Sequence, residues 1–351
     1  MREIKFTEAI NEALHIAMEQ DPHMLCYGLG VDDPKRIFGT TAGLKEKFPE
    51  RVFDVPTAEN GFTGIGAGAA IAGSRTVMVH QRVDFFFLAM DQVVNTLAKW
   101  HYMFGGKNSV PVTIRLIVGH GWGQGPTHSQ NIHAWFAHVP GLKVVMPTTP
   151  EEAKGLMLSS LFDPDPVIFI EHRWLHNIKG KVPEGDVRWP IGKARVRKQG
   201  ADITVVGTSY MTVEALHAAE ELEKQGLSVE VIDLLTIQPI DWDVVYRSVR
   251  KTGRLLAVDT GPTTCSLAAE VMARVSETCF SSLKCAPERV AQPDCPAPTS
   301  RALTKVFFKR AEEIALKIGE MMGKSVDITS IVQARGDTPH DVPGDWFTGP
   351  F

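Results

Sequence analysis

Short apolar runs alternate with helical patterns along most of the chain, and this alternation leaves few architectures open. In the first such pair, apolar residues recur at helical spacing from 7 to 20, and an apolar run follows at 24–27. Further runs that we expect to form strands lie at residues 52–55, 76–79, 112–118, 144–146 and 167–170. The helical patterns between them include 61–73 and one long stretch that ends near Tyr102. Strands that alternate with helices indicate a mostly parallel sheet with helices on both faces.

The alternation stops between about residues 172 and 200 and then begins again. Gly180, Pro183 and Gly185 interrupt the pattern there, which indicates a domain boundary. The second array has apolar runs at 203–206, 229–232 and 255–258 and helical patterns at 212–224, 241–250, 266–277 and 301–322. We therefore predict two three-layer α/β/α domains with mainly parallel sheets, residues 1–180 and residues 201–324, joined by a linker at 181–200.

The last segment, residues 325–351, has no regular pattern and contains three prolines and three aromatics that look exposed, Trp346, Phe347 and Phe351. We interpret it as an irregular C-terminal arm that lies on a partner or a neighbouring subunit. A disordered tail is the alternative.

Charge and composition exclude several classes of protein. The 37 basic and 41 acidic residues give a net charge of −4, which lacks the basic excess that a nucleic-acid partner requires. No apolar run approaches the ~20 residues of a membrane span, and residues 1–5 have no signal-peptide core. The five cysteines include no CxxC pair, which argues against a disulfide framework or a thiolate zinc site. We predict a cytoplasmic protein with no membrane partner, or a mature chain without its leader.

The glycine-rich stretch at 61–68 does not match the dinucleotide-binding pattern GxGxxG. Ala69 stands where that pattern needs its third glycine. Close packing of a helix explains these glycines better. Three histidines, at 128, 133 and 138, recur every five residues, a spacing that would scatter them around a helix and prevent them from sharing one metal. Of these, His128 is the candidate for function, because it follows a glycine-rich loop where a strand turns into a helix.

Other candidates have more than one interpretation from the residues alone. Glu59 lies between a predicted strand and a helix of small residues, where an acid commonly stabilises the helix start. A catalytic role is the less frequent alternative. Phe85 and the two phenylalanines after it would ordinarily belong to the core.

Several segments together resemble one family. They are residues 58–64 (AENGFTG), 84–85 (DF) with 89–92 (AMDQ), 128–130 (HSQ) with 140–144 (PGLKV), 233–239 (DLLTIQP) and 251–255 (KTGRL). This pattern resembles the beta subunit of the decarboxylase component of 2-oxo acid dehydrogenases. That family includes the pyruvate, branched-chain and acetoin dehydrogenases, uses thiamine diphosphate and is related to transketolase. The resemblance runs in order from about residue 3 to residue 322.

The resemblance implies a pyrimidine-binding domain followed by a transketolase-type C-terminal domain, and an α2β2 heterotetramer with an alpha subunit. Thiamine diphosphate would lie across the interface between the subunits. In the family, a Gly-Asp-Gly…Asn segment of the alpha subunit binds the diphosphate and its Mg²⁺. This chain contains no Gly-Asp-Gly, in agreement with a separate alpha chain.

The resemblance also assigns roles to single residues. Glu59 matches the glutamate that donates a hydrogen bond to the cofactor pyrimidine, which requires an apolar lining such as Ala58, Phe62 and Ile65 to keep the carboxyl protonated. Phe85 matches the aromatic that stacks on the pyrimidine. His128 matches the histidine that faces the reacting carbon and holds a substrate carboxylate or transfers protons. A structural monovalent cation bound by backbone carbonyls would involve Val112, Ser160, Leu161, Asp163 and Asp165.

Two departures from the family bear on the substrate. An acid usually follows the glycine after the first strand, but residues 28–31 read Gly-Leu-Gly-Val here. Arg82 is a new cation just before the stacking aromatic, where it would bind a carboxylate or phosphate of the substrate, or else pair with Asp84.

Three functions remain open at this point. The first is decarboxylation of a 2-oxo acid with acyl transfer to a lipoyl acyltransferase. The second is a split transketolase-like or acyloin-forming synthase that uses an aldehyde or ketone acceptor. The third is an inactive scaffold subunit, against which the presence of Glu59 argues. Neighbouring genes for a lipoyl acyltransferase and a flavin dehydrogenase would favour the first, and sugar or natural-product genes the second.

Overall fold

The computed structural model describes residues 1–121 and 123–344. The strands are β1 (Arg2–Lys5), β2 (Leu25–Gly28), β3 (Val52–Asp54), β4 (Thr76–His80), β5 (Val112–Val118), β6 (Lys143–Val145), β7 (Val167–His172), β8 (Lys179–Val182), β9 (Arg195–Lys198), β10 (Ile203–Gly207), β11 (Val229–Asp233), β12 (Thr236–Gln238), β13 (Leu255–Pro262) and β14 (Glu288–Gln292). The helices are α1 (Phe6–Gln20), α2 (Leu44–Lys47), α3 (Glu59–Ile71), α4 (Val83–Phe86), α5 (Ala98–Met103), α6 (His133–Ala137), α7 (Pro150–Leu161), α8 (Tyr210–Lys224), α9 (Trp242–Thr252), α10 (Leu267–Cys279), α11 (Arg301–Phe307), α12 (Ala311–Met322) and α13 (Thr329–Arg335).

The chain divides into two compact units. Unit 1 comprises Met1–Val118, Trp135–Ile191 and Ile237–Pro239, and unit 2 comprises Gly119–Ala134, Gly192–Thr236 and Ile240–Phe351. Each contains a mainly parallel sheet with helices alternating along the chain, so the predicted α/β class is confirmed. The segment that we predicted as a linker contributes a strand, β9, because its residues pair antiparallel with β11.

The sheet of unit 1 has seven strands in the order β12-β6-β7-β5-β4-β2-β3. Every residue of β5 is buried, as expected of a central parallel strand covered on both faces. On one side β5 pairs with β4 and on the other with β7, in both cases parallel. The carboxyl ends of β4 and β7 therefore lie at the same edge of the sheet, on either side of the end of β5.

Helix α3 packs closely on this sheet because of a glycine. A Cβ added to Gly66 would lie 2.2 Å from the Tyr27 hydroxyl and 2.6 Å from the Met78 sulfur. Both side chains come from strands, β2 and β4. Gly66 thus serves helix packing, whereas a Cβ on Gly68 of the same segment would meet no atom within 4 Å.

The sheet of unit 2 has five strands in the order β14-β13-β10-β11-β9. Its core includes the buried residues Val205, Leu256 and Ile314. Helix α10 begins where the sequence predicts, because the Ser266 hydroxyl accepts a 3.1 Å hydrogen bond from the Ala269 amide.

Two predicted helices are interrupted. The long pattern ending near Tyr102 contains a 3₁₀ turn at Phe87–Ala89 and a π-helical segment at Asp91–Leu97, which a short apolar pattern does not distinguish from an α-helix. The pattern at 301–322 breaks between α11 and α12. The Arg310 guanidinium donates to the carbonyls of His340, Val342 and Pro343, at 3.0 to 3.3 Å, and this long-range contact requires a turn.

The segment predicted to be irregular begins with a helix, α13, so that part of the prediction is corrected. Arg335 of α13 forms an ion pair with Glu312 of α12, which holds the helix in place. Trp346, Phe347 and Phe351 lie outside the described residues, and their role in an arm stays a prediction. Within residues 1–121 and 123–344, no helix is both long enough and apolar enough to cross a membrane.

Candidate active site

Glu59 is the first residue of α3 and is only 4% exposed. Its carboxyl lies at the helix end that carries unpaired N–H groups and the positive end of the helix dipole. Phe62 is buried one turn further along the same face. We predicted that Ala58, Phe62 and Ile65 form an apolar lining around Glu59. Phe62 is buried, as that prediction requires, but Ala58 is exposed and Ile65 is 70% exposed in this chain.

The three consecutive phenylalanines have different environments. Phe86 is fully buried, whereas Phe87 is partly buried and packs edge-on to Trp135, with ring centroids 5.0 Å apart. Phe85 is 43% exposed, so the simple core interpretation is wrong for this residue. The 3₁₀ turn that follows α4 contacts α3, so one short element connects the helix of Phe85 to the helix that Glu59 begins.

His80 ends β4 and is enclosed by aromatic rings. Its ring centroid lies 4.7 Å from that of Phe62 and 4.4 Å from that of Phe86. Neither ring nitrogen has a hydrogen-bond partner among the described residues. Burial lowers the pKa of His80 to about 3, so the imidazole is neutral at pH 7.

We predict that His80→Phe stabilises the protein, because it replaces an unpartnered polar ring by an apolar ring of similar shape. The expected gain is about 1–3 kcal/mol at pH 7. In the unfolded state His80 binds a proton as pH falls below 6.5, whereas in the folded state it does so only near pH 3. Wild-type stability therefore falls over that interval, by about 1.4 kcal/mol per pH unit for this group, and the variant loses this component.

The measurement is urea unfolding between pH 7 and pH 4. His23→Phe, at an exposed position, serves as the control and is expected to keep the wild-type slope. Equal pH slopes in His80→Phe and the wild type would contradict the assignment of His80 as a buried neutral ring.

Arg82 precedes α4 at the end of the loop after β4. Burial lowers the pKa of Arg82, and the charge of Asp84 acts in the opposite direction. The charge of Asp84 thus acts on Arg82, as the predicted pairing of Arg82 with Asp84 requires. A second arginine that sequence reasoning missed, Arg173, directly follows β7 and is 4% exposed. The available signal was a charged residue placed at the carboxyl end of an apolar strand.

The Arg173 guanidinium has two distinctive neighbours. Its central carbon lies 4.0 Å from the centroid of the Phe38 ring, which is a cation–π arrangement. Burial, followed by the positive charge of Arg82, lowers the pKa of Arg173 to about 10. Two cations therefore lie close enough at this edge of unit 1 to act on each other.

The other predicted site histidine, His128, belongs to unit 2 and is partly buried. Its Nδ1 lies 2.9 Å from the Thr127 hydroxyl. The neighbouring His133, buried at the start of α6, lies with Nε2 at 2.9 Å from a carboxylate oxygen of Asp259. Burial raises the pKa of Asp259, but the charge of His133 and hydrogen bonds from His133, Gly261 and Ala268 outweigh burial. The pKa of Asp259 therefore lies below its ordinary value. This pair joins the His128 loop to β13, so His133 has a structural partner and the histidines do not act together.

The residues proposed for a monovalent cation lie together in unit 1, but protein cations already contact several of them. Arg75 donates to the carbonyl oxygens of Leu161 and Asp163, at 3.3 and 3.1 Å. The Lys143 ammonium contacts the carboxylates of Asp163 and Asp165, at 2.7 and 3.4 Å. A cation site here stays a prediction. Any ion would share its carbonyl ligands with Arg75.

Two family models match the chain. "Transketolase, pyrimidine binding domain" matches residues 2–178, and "Transketolase, C-terminal domain" matches residues 192–314. The acetoin:2,6-dichlorophenolindophenol oxidoreductase subunit beta of Cupriavidus necator is 39% identical over 324 residues, which cover 90% of this chain and 96% of that protein. The chain belongs to the transketolase-related family of dehydrogenase beta subunits.

Other beta subunits of this family agree with the assignment. The Arabidopsis thaliana pyruvate dehydrogenase E1 component subunit beta-1, mitochondrial, is 40% identical, over 89% of this chain and 88% of that protein. The Bacillus subtilis 2-oxoisovalerate dehydrogenase subunit beta is 39% identical, over 92% of this chain and 99% of that protein. A cytoplasmic location stays a prediction, since plant relatives of the beta-subunit family are named as mitochondrial.

A solved structure described as "Split gene transketolase, inactive beta4 tetramer" has the same fold, with a TM-score of 0.75 and 22% identity. The match covers 91% of this chain and 99% of that chain. The predicted resemblance and the transketolase-type fold are both confirmed. Membership of the family implies thiamine diphosphate as the cofactor and an alpha subunit as the partner.

Proposed function

We propose that this chain is the beta subunit of a thiamine-diphosphate-dependent 2-oxo acid dehydrogenase, which decarboxylates a 2-oxo acid and passes the acyl group to a lipoyl carrier. The observation that carries the proposal is the buried carboxyl of Glu59 at the start of α3 in a pyrimidine-binding domain. A buried acid of this kind needs a hydrogen-bonding partner. A pyrimidine nitrogen of the cofactor would provide one.

The residues of unit 1 fit such a ring. Phe85 exposes 43% of its surface, although the phenylalanine beside it is fully buried, and a partly exposed aromatic side chain is what stacking on a heterocycle requires. Glu59 would hold a proton at its carboxyl and donate it in a hydrogen bond to the pyrimidine. Thiamine diphosphate, when bound, supplies the carbon nucleophile and the electron sink for loss of CO₂.

His128 would hold a substrate carboxylate or transfer protons to the acceptor. Its partial burial and its contact with the Thr127 hydroxyl support this role, because they leave the ring ordered and accessible. Arg82 would bind an anionic group of the substrate, which is supported by its position beside the aromatic Phe85.

The alpha subunit would complete the active site in an α2β2 heterotetramer and bind the diphosphate with Mg²⁺. Support comes from the sequence, which has no Gly-Asp-Gly motif. A cofactor with two phosphates needs a divalent ion or several backbone donors to neutralise it. A lipoyl acyltransferase would then accept the acyl group from the heterotetramer.

A second function keeps the cofactor and changes the acceptor. A split transketolase-like or acyloin-forming synthase would join the acyl unit to an aldehyde or ketone. Arg82 supports this alternative, because a cation beside Phe85 would bind a phosphate of such an acceptor.

The proposal is tested by purifying the chain alone and with its alpha partner and measuring thiamine diphosphate binding by calorimetry. We expect weak binding by the isolated chain and tight, Mg²⁺-dependent binding by the complex, with CO₂ release from a 2-oxo acid. Phe85→Ala is expected to weaken binding about 10-fold, which corresponds to the loss of one aromatic contact.

Leu88→Ala is the matched control, because Leu88 is also exposed on unit 1, at the 3₁₀ turn after α4. It is expected to retain the wild-type affinity for thiamine diphosphate. Tight binding by the chain without a partner would contradict the shared site, and unchanged affinity in Phe85→Ala would remove Phe85 from it.

A further inference from the structure

The segment after α13 folds back onto its own unit, and we call its residues 340–343 the strap. The buried Arg310 guanidinium donates hydrogen bonds to three carbonyl oxygens of the strap, at 3.0 to 3.3 Å. Glu214 of α8 is also buried and lies 3.0 Å from the Arg310 Nε, so the counter-charge of this arginine comes from the same unit. Because a buried charge needs its hydrogen bonds satisfied, these contacts fix the path of the backbone through the strap.

One side chain of the strap contacts the glycine-rich loop at 119–125. Asp341 is 1% exposed, and its Oδ2 accepts a 3.2 Å hydrogen bond from the Gly123 amide. Its other carboxyl oxygen, Oδ1, has no hydrogen-bond partner within residues 1–121 and 123–344. Burial of a carboxylate costs free energy unless the group is hydrogen-bonded. The Gly123 amide is therefore a contact through which Asp341 and the loop hold each other in place.

The loop needs such contacts because its backbone is intrinsically free. Gly123 and Gly125 have φ values of +75° and +67°, in the region that glycine enters most readily. A Cβ added to Gly125 would lie 2.6 Å from the Thr299 hydroxyl oxygen, and the His120 ring stacks on that of Phe308 with centroids 3.8 Å apart. This packing limits how far the loop can move, and the hydrogen bond from the strap fixes the orientation of a peptide within it.

The loop leads directly to the proposed site histidine. The 3₁₀ turn Pro126–His128 follows it, and the His128 amide donates a 3.4 Å hydrogen bond to the Gly125 carbonyl. The position of the His128 ring therefore depends on the conformation of the loop before it. A displacement of about 1 Å at a reacting group can reduce the rate by about 100-fold.

We propose that Asp341 is a positioning residue for the reaction: by holding the Gly123 amide, it fixes the loop that sets the position of His128. The C-terminal family model matches the chain only to residue 314, so the strap lies beyond the matched part. The role in turnover rests on the proposed function. The contact between Asp341 and the loop is tested independently of that function.

The first measurement is hydrogen–deuterium exchange of the full chain, read from peptides that cover residues 119–128. Asp341→Ala removes the acceptor, and we expect amide exchange in these peptides to accelerate on the order of 10-fold. Asp341→Asn keeps an acceptor oxygen in a side chain of the same shape, so it is expected to retain most of the protection. Asp341→Leu fills a similar space without an acceptor and takes the place of the alanine variant if thermal unfolding shows that the latter does not fold.

The second measurement is kcat and KM for the 2-oxo acid in the complex with the alpha partner. We expect Asp341→Ala to lower kcat/KM about 10- to 100-fold and Asp341→Asn to restore most of it. The affinity for thiamine diphosphate is expected to stay unchanged, because the ring contacts proposed for this chain come from Glu59 and Phe85. In a His128→Ala background the same change is expected to alter kcat/KM by less than about twofold, since Asp341 acts through His128.

Asp202→Ala is the matched control. Asp202 precedes β10, and its carboxylate accepts a 2.8 Å hydrogen bond from the Ser228 amide, in a loop of unit 2 that contains no proposed site residue. This variant is expected to keep the wild-type kcat/KM and the wild-type exchange of residues 119–128.

Three results would overturn the inference. They are wild-type exchange of the loop in Asp341→Ala, accelerated exchange with an unchanged kcat/KM, and an equal loss of kcat/KM with and without His128. If the wild-type complex releases CO₂ from no 2-oxo acid, the proposed function fails, and loop exchange alone then decides whether Asp341 holds the loop.

Discussion

Replacement of Glu59 by alanine is expected to reduce turnover by a factor on the order of 10²–10⁴, while the complex with the alpha partner still assembles. The carboxyl is buried at the start of α3, where the proposed role is to hold a proton against the cofactor ring. Alanine removes that proton without changing the backbone. The measurement is steady-state CO₂ release at saturating thiamine diphosphate, with assembly followed by size-exclusion chromatography.

Loss of an acid from a helix start also weakens the interaction with the helix dipole, so a matched control is needed. Glu151→Ala removes an acid from the first turn of α7 in the same unit. That change is expected to cost about 0.3–1 kcal/mol of stability and to leave turnover unaffected. Near-wild-type turnover in Glu59→Ala would eliminate the proton-holding role.

The second large effect concerns stability. Arg115 and Glu171 are fully buried partners in the centre of unit 1, with two hydrogen bonds between them. Arg115 also donates to the Thr40 hydroxyl, at 2.9 Å. Glu171→Gln would leave the guanidinium buried without its counter-charge, and we expect a loss of about 3–5 kcal/mol in the free energy of unfolding. Urea unfolding of the purified chain measures this loss.

The pH dependence of the same pair has a defined sign. Burial raises the pKa of Glu171, but the charge of Arg115 and hydrogen bonds from His176 and Arg115 outweigh it, so the pKa lies below its ordinary value of 4.5. The stabilisation is therefore present above pH 4.5 and is lost as pH falls below that value. Glu171→Gln is expected to flatten this acid limb of the stability curve.

Glu270→Gln is the control for the ion pair, because Glu270 pairs with Arg274 on an exposed helix face. Its expected effect is below about 1 kcal/mol. The double variant Arg115→Met/Glu171→Leu is expected to recover much of the lost stability, since it removes both charges. A loss below about 1 kcal/mol in Glu171→Gln would show that the buried pair is not needed for stability.

Several features of the fold were predictable from local pattern. The run 112–118, apolar except for Thr113 and Arg115, forms β5 with those same limits, because a strand buried on both faces needs no alternation of polar residues. The pattern at 301–322 predicted one continuous helix and missed the break before α12. Arg310, at this break, contacts residues 340–343. A contact over thirty residues has no counterpart in helical periodicity.

For the candidate site, sequence resemblance selected Glu59, Phe85 and His128, but their surroundings came from the fold. The exposure of Ile65 contradicts the complete apolar lining expected around Glu59, because α3 presents that residue away from the sheet. Arg173 was missed since it lies about ninety residues from Arg82 and only strand order brings the two together.

The amino-acid sequence by itself determined the α/β class and the alternation of elements, because both depend on residue types at short, fixed spacing. It also determined the family, because several short motifs follow one another in the family's order along the chain. Only the tertiary structure decided which charges share an edge of the sheet and which aromatics remain exposed. The reason is that strand order and packing depend on burial of the whole core. That burial joins segments far apart in the sequence, so no local segment determines it.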